Sequence, residues 1–328
     1  MVPARNRPLL WVAIALCLGI IGYALYAQQI EASDTDVVSV PLDPADPARE
    51  TLGRLRYLGG LDIPRMGQNI GGLSALDWDT QSGRLLALAD DGRWVWITPE
   101  EQDESLTGIA AIEQGPLLGL DGEVLSGKEQ ADSEGLARWG AGPLAVSFER
   151  DHRVWLYAQG LSQAPSDTGL DLVELFAGLE DNRGVETFAV SAEHQLLCAE
   201  RMATTANANC RMFKEGEGFV PFAVEPPQAL VSRGAVPTDA KALTSGEFLI
   251  LFRSYSPAEG NTAAIVSYAP DGTRRELMVL QAPLTLDNFE GLAVREGRDR
   301  TFLYIVSDDN FSSSQRTLLM KFELLPEK

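Results

Sequence analysis

The sequence predicts an all-β fold: a β-propeller of five four-stranded blades, or six if one is degenerate. Three observations carry this expectation. Short β-branched and aromatic runs follow one another between Gly and Asp turns, with few helical periods. One motif recurs along the chain, at intervals that suit a propeller blade. A strand-like run stands at each end of the array, so the ring has a way to close.

The motif is a polar residue, a short apolar strand, a turn, a second apolar strand and a charged pair. It reads "GGLSALDWDTQSGRLLALADDG" from Gly71, "DSEGLARWGAGPLAVSFERD" from Asp132 and "NRGVETFAVSAEHQLLCAER" from Asn182. It returns as "TDAKALTSGEFLILFRS" from Thr238 and "DNFEGLAVREGRDRTFLYIVSDDN" from Asp287. With Ser74, Glu134, Glu186, Lys241 and Glu290 as starting residues, the units lie 60, 52, 55 and 49 residues apart. Each unit reads as an antiparallel hairpin, in which the start of one strand lies beside the end of the next. Ser74 is then expected near Asp90 and Asp91, Glu134 near Glu149 and Arg150, and Glu186 near Glu200 and Arg201. Lys241 is expected near Arg253, and Glu290 near Asp308 and Asp309. Blades are radial copies, so the five clusters should surround one mouth of the central channel.

"GRLRYLGGLDI" (53–63) is expected to pair with "RTLLMKFELL" (316–325), joining the two ends of the ring. The stretch from Trp94 to Gln130 has room for a sixth blade. A short helix is expected near Leu172 to Leu179. Trp78, Trp94, Trp96, Trp139 and Trp155 fall in or beside strands, as core residues between blades do.

Three regions follow from this reading: 1–27, an N-terminal transmembrane anchor or signal peptide; 28–52, a polar tether; and 53–328, the propeller. Arg5 and Arg7 precede Leu9 to Ala27, nineteen residues without a charge. As a helix these would span about 28 Å, close to a bilayer's hydrocarbon thickness. Positive charge stays inside, so the propeller should be exported. Leu25 sits at the −3 place of a cut after Ala27, which favours an uncleaved anchor over a cleaved signal. The expected location is the periplasmic side of the inner membrane, or secretion if the segment is removed. Cys198 and Cys210 bracket a polar loop, and an oxidising compartment favours a disulfide between them.

Composition narrows the function. Net charge is −20, and beyond the first thirty residues 25 basic residues face 47 acidic ones. Nucleic acid wants a basic face, so it is excluded as a partner. The chain has two histidines, which all but excludes a histidine-based zinc site. His152 follows the Glu149–Arg150 pair and is a candidate base; His194 belongs to a turn. "GEVLSGKE" puts Glu129 where a phosphate-binding loop needs Ser or Thr. Ser74 lacks the second glycine of a nucleophile elbow.

"GGLSAL", "DSEGLA", "NRGVETFAV", "NFEGLAV" and "VSDDNFSSSQRTLL" together resemble the phytase-like domain family, also labelled "esterase-like activity of phytase". The resemblance covers roughly residues 55 to 323. It implies a β-propeller that hydrolyses phosphate or other esters. By analogy, propeller phytases hold calcium with acidic channel residues, and the calcium binds the substrate phosphates. Ser74 and Lys241 depart from the glutamates of that series.

Hard cations take six to eight oxygen ligands. Asp90, Asp91, Glu149, Glu200, Asp308 and Asp309 are the expected ligands, with Ca²⁺ the expected ion. Glu134, Glu186 and Glu290 are the expected catalytic carboxylates, Glu186 or Glu134 serving as general base. Arg150, Arg201, Lys241 and Arg253 are expected to grip a small anionic or ester substrate. An ion-pair ring that only braces the channel would use the same residues. A non-catalytic propeller binding a ligand or an envelope protein, and a lactonase-like ester hydrolase, remain open alternatives. A monomer is expected.

Overall fold

Five antiparallel sheets stand around a central axis in a computed structural model that describes residues 28–31, 37–64, 70–139, 142–204 and 207–326. From the axis outward, blade 1 consists of Leu73–Asp79, Arg84–Ala89, Arg93–Gln102 and Ser105–Pro116, with Gln28–Glu31 added at its edge. Blade 2 is Ser133–Arg138, Leu144–Phe148, Arg153–Tyr157 and Ser166–Asp167, and blade 3 is Val185–Val190, Gln195–Ala199, Cys210–Lys214 and Gly218–Phe222. Blade 4 is Val236–Ala242, Phe248–Ser256, Gly260–Tyr268 and Arg274–Gln281.

Blade 5 closes the ring. Phe289–Glu296, Thr301–Ser307 and Thr317–Leu324 come from the end of the chain, and Leu55–Ile63 from its beginning. The closure expected from sequence is therefore formed, with Thr317 opposite Ile63 and Leu324 opposite Leu55. The ring has the five blades expected, and the room for a degenerate sixth is taken by residues 93–116, which supply the two outer strands of blade 1. The short helix lies at Leu172–Leu175. Residues 37–52, placed by sequence in a polar tether, lie against blade 5. Val38–Ser39 pairs with its edge, and the Leu42 side chain is fully buried.

Apolar side chains fill the five gaps between neighbouring sheets, one cluster per gap. Trp94 and Trp155 are buried in the gap between blades 1 and 2. The gap between blades 5 and 1, where the two ends of the ring meet, also carries a charged brace. Lys321, wholly buried, lies 2.9 Å from Glu101, which also accepts the Tyr304 hydroxyl at 2.6 Å. Arg295 bonds the same carboxylate and packs over Trp78.

Every inner strand bulges at one place. The register against the second strand skips Ser74, Glu134, Glu186, Thr238 and Glu290. The last four of these stand at a constant interval of 52 residues. A bulge leaves its extra residue outside the ladder and re-aims it. The same place in every blade thus faces the axis at the mouth where the inner strands begin. In blade 4 that residue is Thr238, not Lys241, which lies three residues deeper along the strand.

Directly after two of these residues stand Gly135 and Gly291. A Cβ on Gly135 would come within 2.5 Å of the Glu186 carbonyl, and one on Gly291 within 2.9 Å of Ala75. The inner strands approach too closely there for a side chain. Blade 4 puts Asp239 at the matching place and uses its carboxylate instead. Asp239 accepts the Leu76 N–H of blade 1 and the Leu292 N–H of blade 5, at 3.3 and 2.8 Å. Lys241 bonds Asp239 at 2.5 Å and the Leu136 carbonyl of blade 2 at 3.2 Å. One buried ion pair therefore ties four inner strands across the axis.

Cys198 and Cys210 face each other across adjacent strands of blade 3 and form the expected disulfide. Such a bond points to an oxidising, extracellular location. Among the described residues no helix is long and apolar enough to cross a membrane. The anchor or signal expected at 1–27 lies outside the described residues.

Removing one partner of a buried ion pair strands the other charge. Lys241→Met is expected to lower the unfolding free energy by about 3–5 kcal/mol, read by urea denaturation. A loss below about 1 kcal/mol would show that Asp239 finds other relief.

Candidate functional site

The five bulges put Ser74, Glu134, Glu186, Thr238 and Glu290 around one mouth of the channel. The residue ending each second strand completes a second tier. Its backbone shows the equivalence: Asp90, Glu149, Glu200 and Asp308 donate their N–H to the carbonyls of Gly72, Asp132, Gly184 and Asn288. Arg253, opposite Val236, holds that place in blade 4. The mouth therefore gathers Glu134, Glu149, Glu186, Glu200, Glu290, Asp90 and Asp308, with Arg253 the one cation in the two tiers.

Partners are unevenly distributed. Arg253 lies 3.0 Å from Glu200 and 3.1 Å from Glu290, and Glu290 also accepts the Asn288 amide at 2.7 Å. Glu149 accepts the Gly184 N–H at 2.7 Å. Lys128 holds Asp90 at 2.6 Å and Asp132 at 2.7 Å, and Arg150 holds Asp132 at 2.8 Å. Among the described residues, Glu134 and Glu186 make no hydrogen bond or ion pair. The Thr238 hydroxyl beside them is buried and also unpartnered.

Burial and like charge act together on these carboxyls. Glu134 is pushed well above the carboxylate range by burial, then by Glu186, Glu149, Asp132 and Glu290. Glu186 is pushed well up by burial and Glu200, against the pull of Arg253. Burial raises Glu149 to about 7, against the Gly184 hydrogen bond, and Asp308 to about 8, helped by Glu290. Burial also raises Glu200 and Glu290 despite Arg253. Asp90 rises despite Lys128, again through burial first.

Two overlapping trios can hold a cation. The carboxylate oxygens of Asp132, Glu134 and Glu149 lie within 4.8 Å of one another, as do those of Glu149, Glu186 and Glu200. The donors are all oxygen, which suits a hard divalent ion such as Ca²⁺. Two carboxylates without a donor at the centre of this crowd make the fit physical as well as geometric.

Other residues singled out by sequence have different surroundings. Asp91 pairs with Arg93 at 2.8 Å, away from the crowd, and 37% of its side chain is exposed. Asp309 is buried and accepts the N–H groups of Gly72 and Phe311, at 3.1 and 3.0 Å. A Cβ on the preceding Gly71 would come within 2.5 Å of that carboxylate, which is why glycine stands there. Arg201 donates to the Ala177 carbonyl at 2.9 Å, and Lys241 serves the axial pair. His152 lies beside Gly184 with Nε2 3.1 Å from the Glu180 carbonyl, and His194 belongs to the turn joining the first two strands of blade 3.

Sequence reasoning missed Asp132, Asn288 and Thr238. Asp132 and Asn288 each stand two residues before a bulge glutamate, and Lys128 precedes Asp132 at an i,i+4 spacing. Those offsets were the available signal. Thr238 was hidden because strand patterning does not locate a bulge.

The model of the family described as "Phytase-like: Esterase-like activity of phytase" matches residues 68–311, and the chain belongs to that family. No curated protein matches the chain. Among solved structures, AofleA from Arthrobotrys oligospora aligns at 12% identity with a TM-score of 0.43, over 83% of this chain and 68% of that one. A putative gluconolactonase aligns at 13% identity and TM-score 0.41, over 90% and 92% of the two chains. An inactive virginiamycin B lyase from Staphylococcus aureus aligns at 8% identity and TM-score 0.41, over 89% and 100%. Likenesses at these scores carry no argument about activity.

The raised carboxyls set the pH response of the metal-free protein. The native state keeps protons on Glu149 and Asp308 up to about pH 7 and 8, whereas their ordinary values are 4.5 and 3.8. Where the native state binds more protons than the unfolded one, stability falls as pH rises. In chelator, the melting temperature is expected to drop between pH 5 and pH 8, and millimolar Ca²⁺ at pH 8 to restore it. A melting temperature that is flat over this range, with no response to Ca²⁺, would show that the crowd is relieved internally.

Proposed function

We propose that this phytase-like propeller is a Ca²⁺-dependent hydrolase of phosphomonoesters or related esters, acting at the acidic mouth of its channel. One observation carries the reading: a crowd of carboxylates has Arg253 as the one cation in its two tiers, with Lys128 and Arg150 at its edge, and two of its members lack any donor. Carboxylates so placed shed protons reluctantly, and a hard cation is their natural relief. Asp132, Glu134 and Glu149 would hold the ion, which leaves the Glu186 carboxylate free. When bound, Ca²⁺ would supply the positive charge that draws an anionic or polarised ester oxygen into an otherwise repellent mouth.

The chain's own groups have separable tasks. Glu186 has no hydrogen bond to give up, so it is the proposed general base that takes a proton from the attacking water. With the ion held instead by Glu149, Glu186 and Glu200, Glu134 would be the free carboxylate and the base. Arg253 holds Glu200 and Glu290 in place and is the cation of the mouth itself. Arg150 is held by Asp132 and Lys241 by Asp239, so substrate oxygens would meet the bound ion rather than a lysine or arginine comb. Family membership supports ester hydrolysis, and the disulfide supports an exported protein. With the charge-free run at 9–27, we place the propeller on the periplasmic side of the inner membrane.

The test uses the full chain on para-nitrophenyl phosphate and para-nitrophenyl acetate, with Ca²⁺ and then with chelator. Chelator-sensitive turnover is expected, and Glu186→Gln should lower kcat by about 10²-fold or more with the fold retained. A folded, Ca²⁺-binding chain that hydrolyses neither ester would make the propeller a binding module instead.

A further inference from the structure

Beside the acidic mouth, between blades 4 and 5, a cavity of about 580 Å³ begins at Arg253 and Glu290 and opens outward. Its volume suits a small ligand. The walls are unusual for a site next to so much charge. Asn261, Asn310 and Gln315 line it, and among the described residues none of their side-chain amides has a hydrogen-bond partner. Tyr255 lines it as well, with 62% of its surface exposed and its hydroxyl unpartnered. Arg253 is engaged by Glu200 and Glu290, and Arg316, near the cavity wall, lies 3.5 Å from Asp287.

Resting on the hydrolase reading for the neighbouring mouth, we propose that this cavity seats a hydroxyl-rich, uncharged body such as a sugar, whose single ester group reaches the acidic mouth. Each side-chain amide offers both donors and an acceptor, which matches a hydroxyl that both donates and accepts. An exposed tyrosine face gives the flat apolar contact that a sugar ring's C–H face uses, and its hydroxyl adds a polar edge. A long acyl chain finds little apolar wall here, since Leu286 is the one aliphatic residue of the lining. A body carrying several further phosphates finds no uncommitted cation, and Asp287 and Glu290 repel it. The substrate class is therefore narrower than an ester in general: one ester on a polyhydroxylated body.

Two measurements on the full chain separate this cavity from the mouth. In chelator, saturation-transfer NMR compares methyl α-glucoside with 1-hexanol, so neither metal nor turnover is needed. The glucoside is expected to bind and hexanol not to. Tyr255→Ala and Asn261→Ala should each weaken the glucoside by roughly tenfold, the equivalent of one good contact. Both residues have partly exposed side chains at the cavity, so the variants should fold, as circular dichroism would show. Glucoside binding that is absent, unchanged in Tyr255→Ala or matched by hexanol overturns the proposal. With Ca²⁺ present, kcat/KM is compared for glucose 6-phosphate, hexyl phosphate and inositol hexakisphosphate. Preference for the sugar monophosphate supports the cavity's role. Preference for either of the others overturns it and leaves the hydrolase standing. Tyr255-dependent glucoside binding without turnover of any ester keeps the cavity and ends the hydrolase reading.

Discussion

The carboxylate of Asp239 sits on the axis of the ring, and the arrangement of everything above it follows from that position. It accepts backbone N–H groups from the inner strands of blades 1 and 5, and its partner Lys241 reaches the backbone of blade 2. Burial raises Asp239 to about 6, while Lys241 acts against that rise. Apolar gaps alone would tolerate sliding between sheets, and the other directional bonds, such as Ser147 Oγ–H to the Val185 carbonyl, link neighbouring blades only in pairs. Directional bonds across the axis remove that freedom and fix the relative height of the inner strands. At these heights the five bulges form a single tier.

That tier concentrates negative charge where water is scarce, which the fold alone would resist. Blade 4 eases the problem by placing Thr238 and Arg253 where its neighbours place carboxylates. The arginine is shared between blades 3 and 5, so its relief falls on Glu200 and Glu290 and fades toward blade 2. Glu134 is left on the unrelieved side, and Glu186 feels Arg253 only at a distance. The asymmetry follows from blade 4, which departs from the carboxylate pattern in both tiers, whereas blade 1 departs only at Ser74. It also explains why both carboxylate trios involve blade 2 rather than the ring as a whole.

Much of this was legible in the sequence, for physical reasons that can be named. Alternation and turn residues exposed the hairpins, and charged doublets after second strands exposed the shared mouth. The strand at 53–63 was recognisable as a closing element because it stands ahead of the first repeat while the last repeat ends on the strand at 316–325. Blade 4 was misread by three residues, with Lys241 standing in for Thr238, because apolar alternation continues smoothly across a bulge and does not show where the ladder skips. The stretch from Trp94 to Gln130 left room for a sixth blade for a related reason. Residues 93–116 are two unusually long outer strands, and length alone mimics additional elements.

The doublet Asp308–Asp309 shows how far a local pattern can be trusted. Both residues are buried, yet neighbours in sequence serve different ends. Asp309 turns back toward blade 1, where it accepts the Gly72 N–H and so helps join the last blade to the first. Asp308 accepts the Asn310 N–H and feels the charge of Glu290 and Asp90. Asn310 and Phe311 follow with left-handed backbone, at φ of 47° and 49°, held by those two carboxylates. Strain of this kind persists where surrounding bonds over-determine it. Here it turns Asn310 toward the cavity beside the mouth while Asp308 stays with the acidic tier. A single acidic pair thus joins the closing of the ring, the charge of the mouth and the polar wall next to it, which is why its two members cannot be assigned one role from sequence.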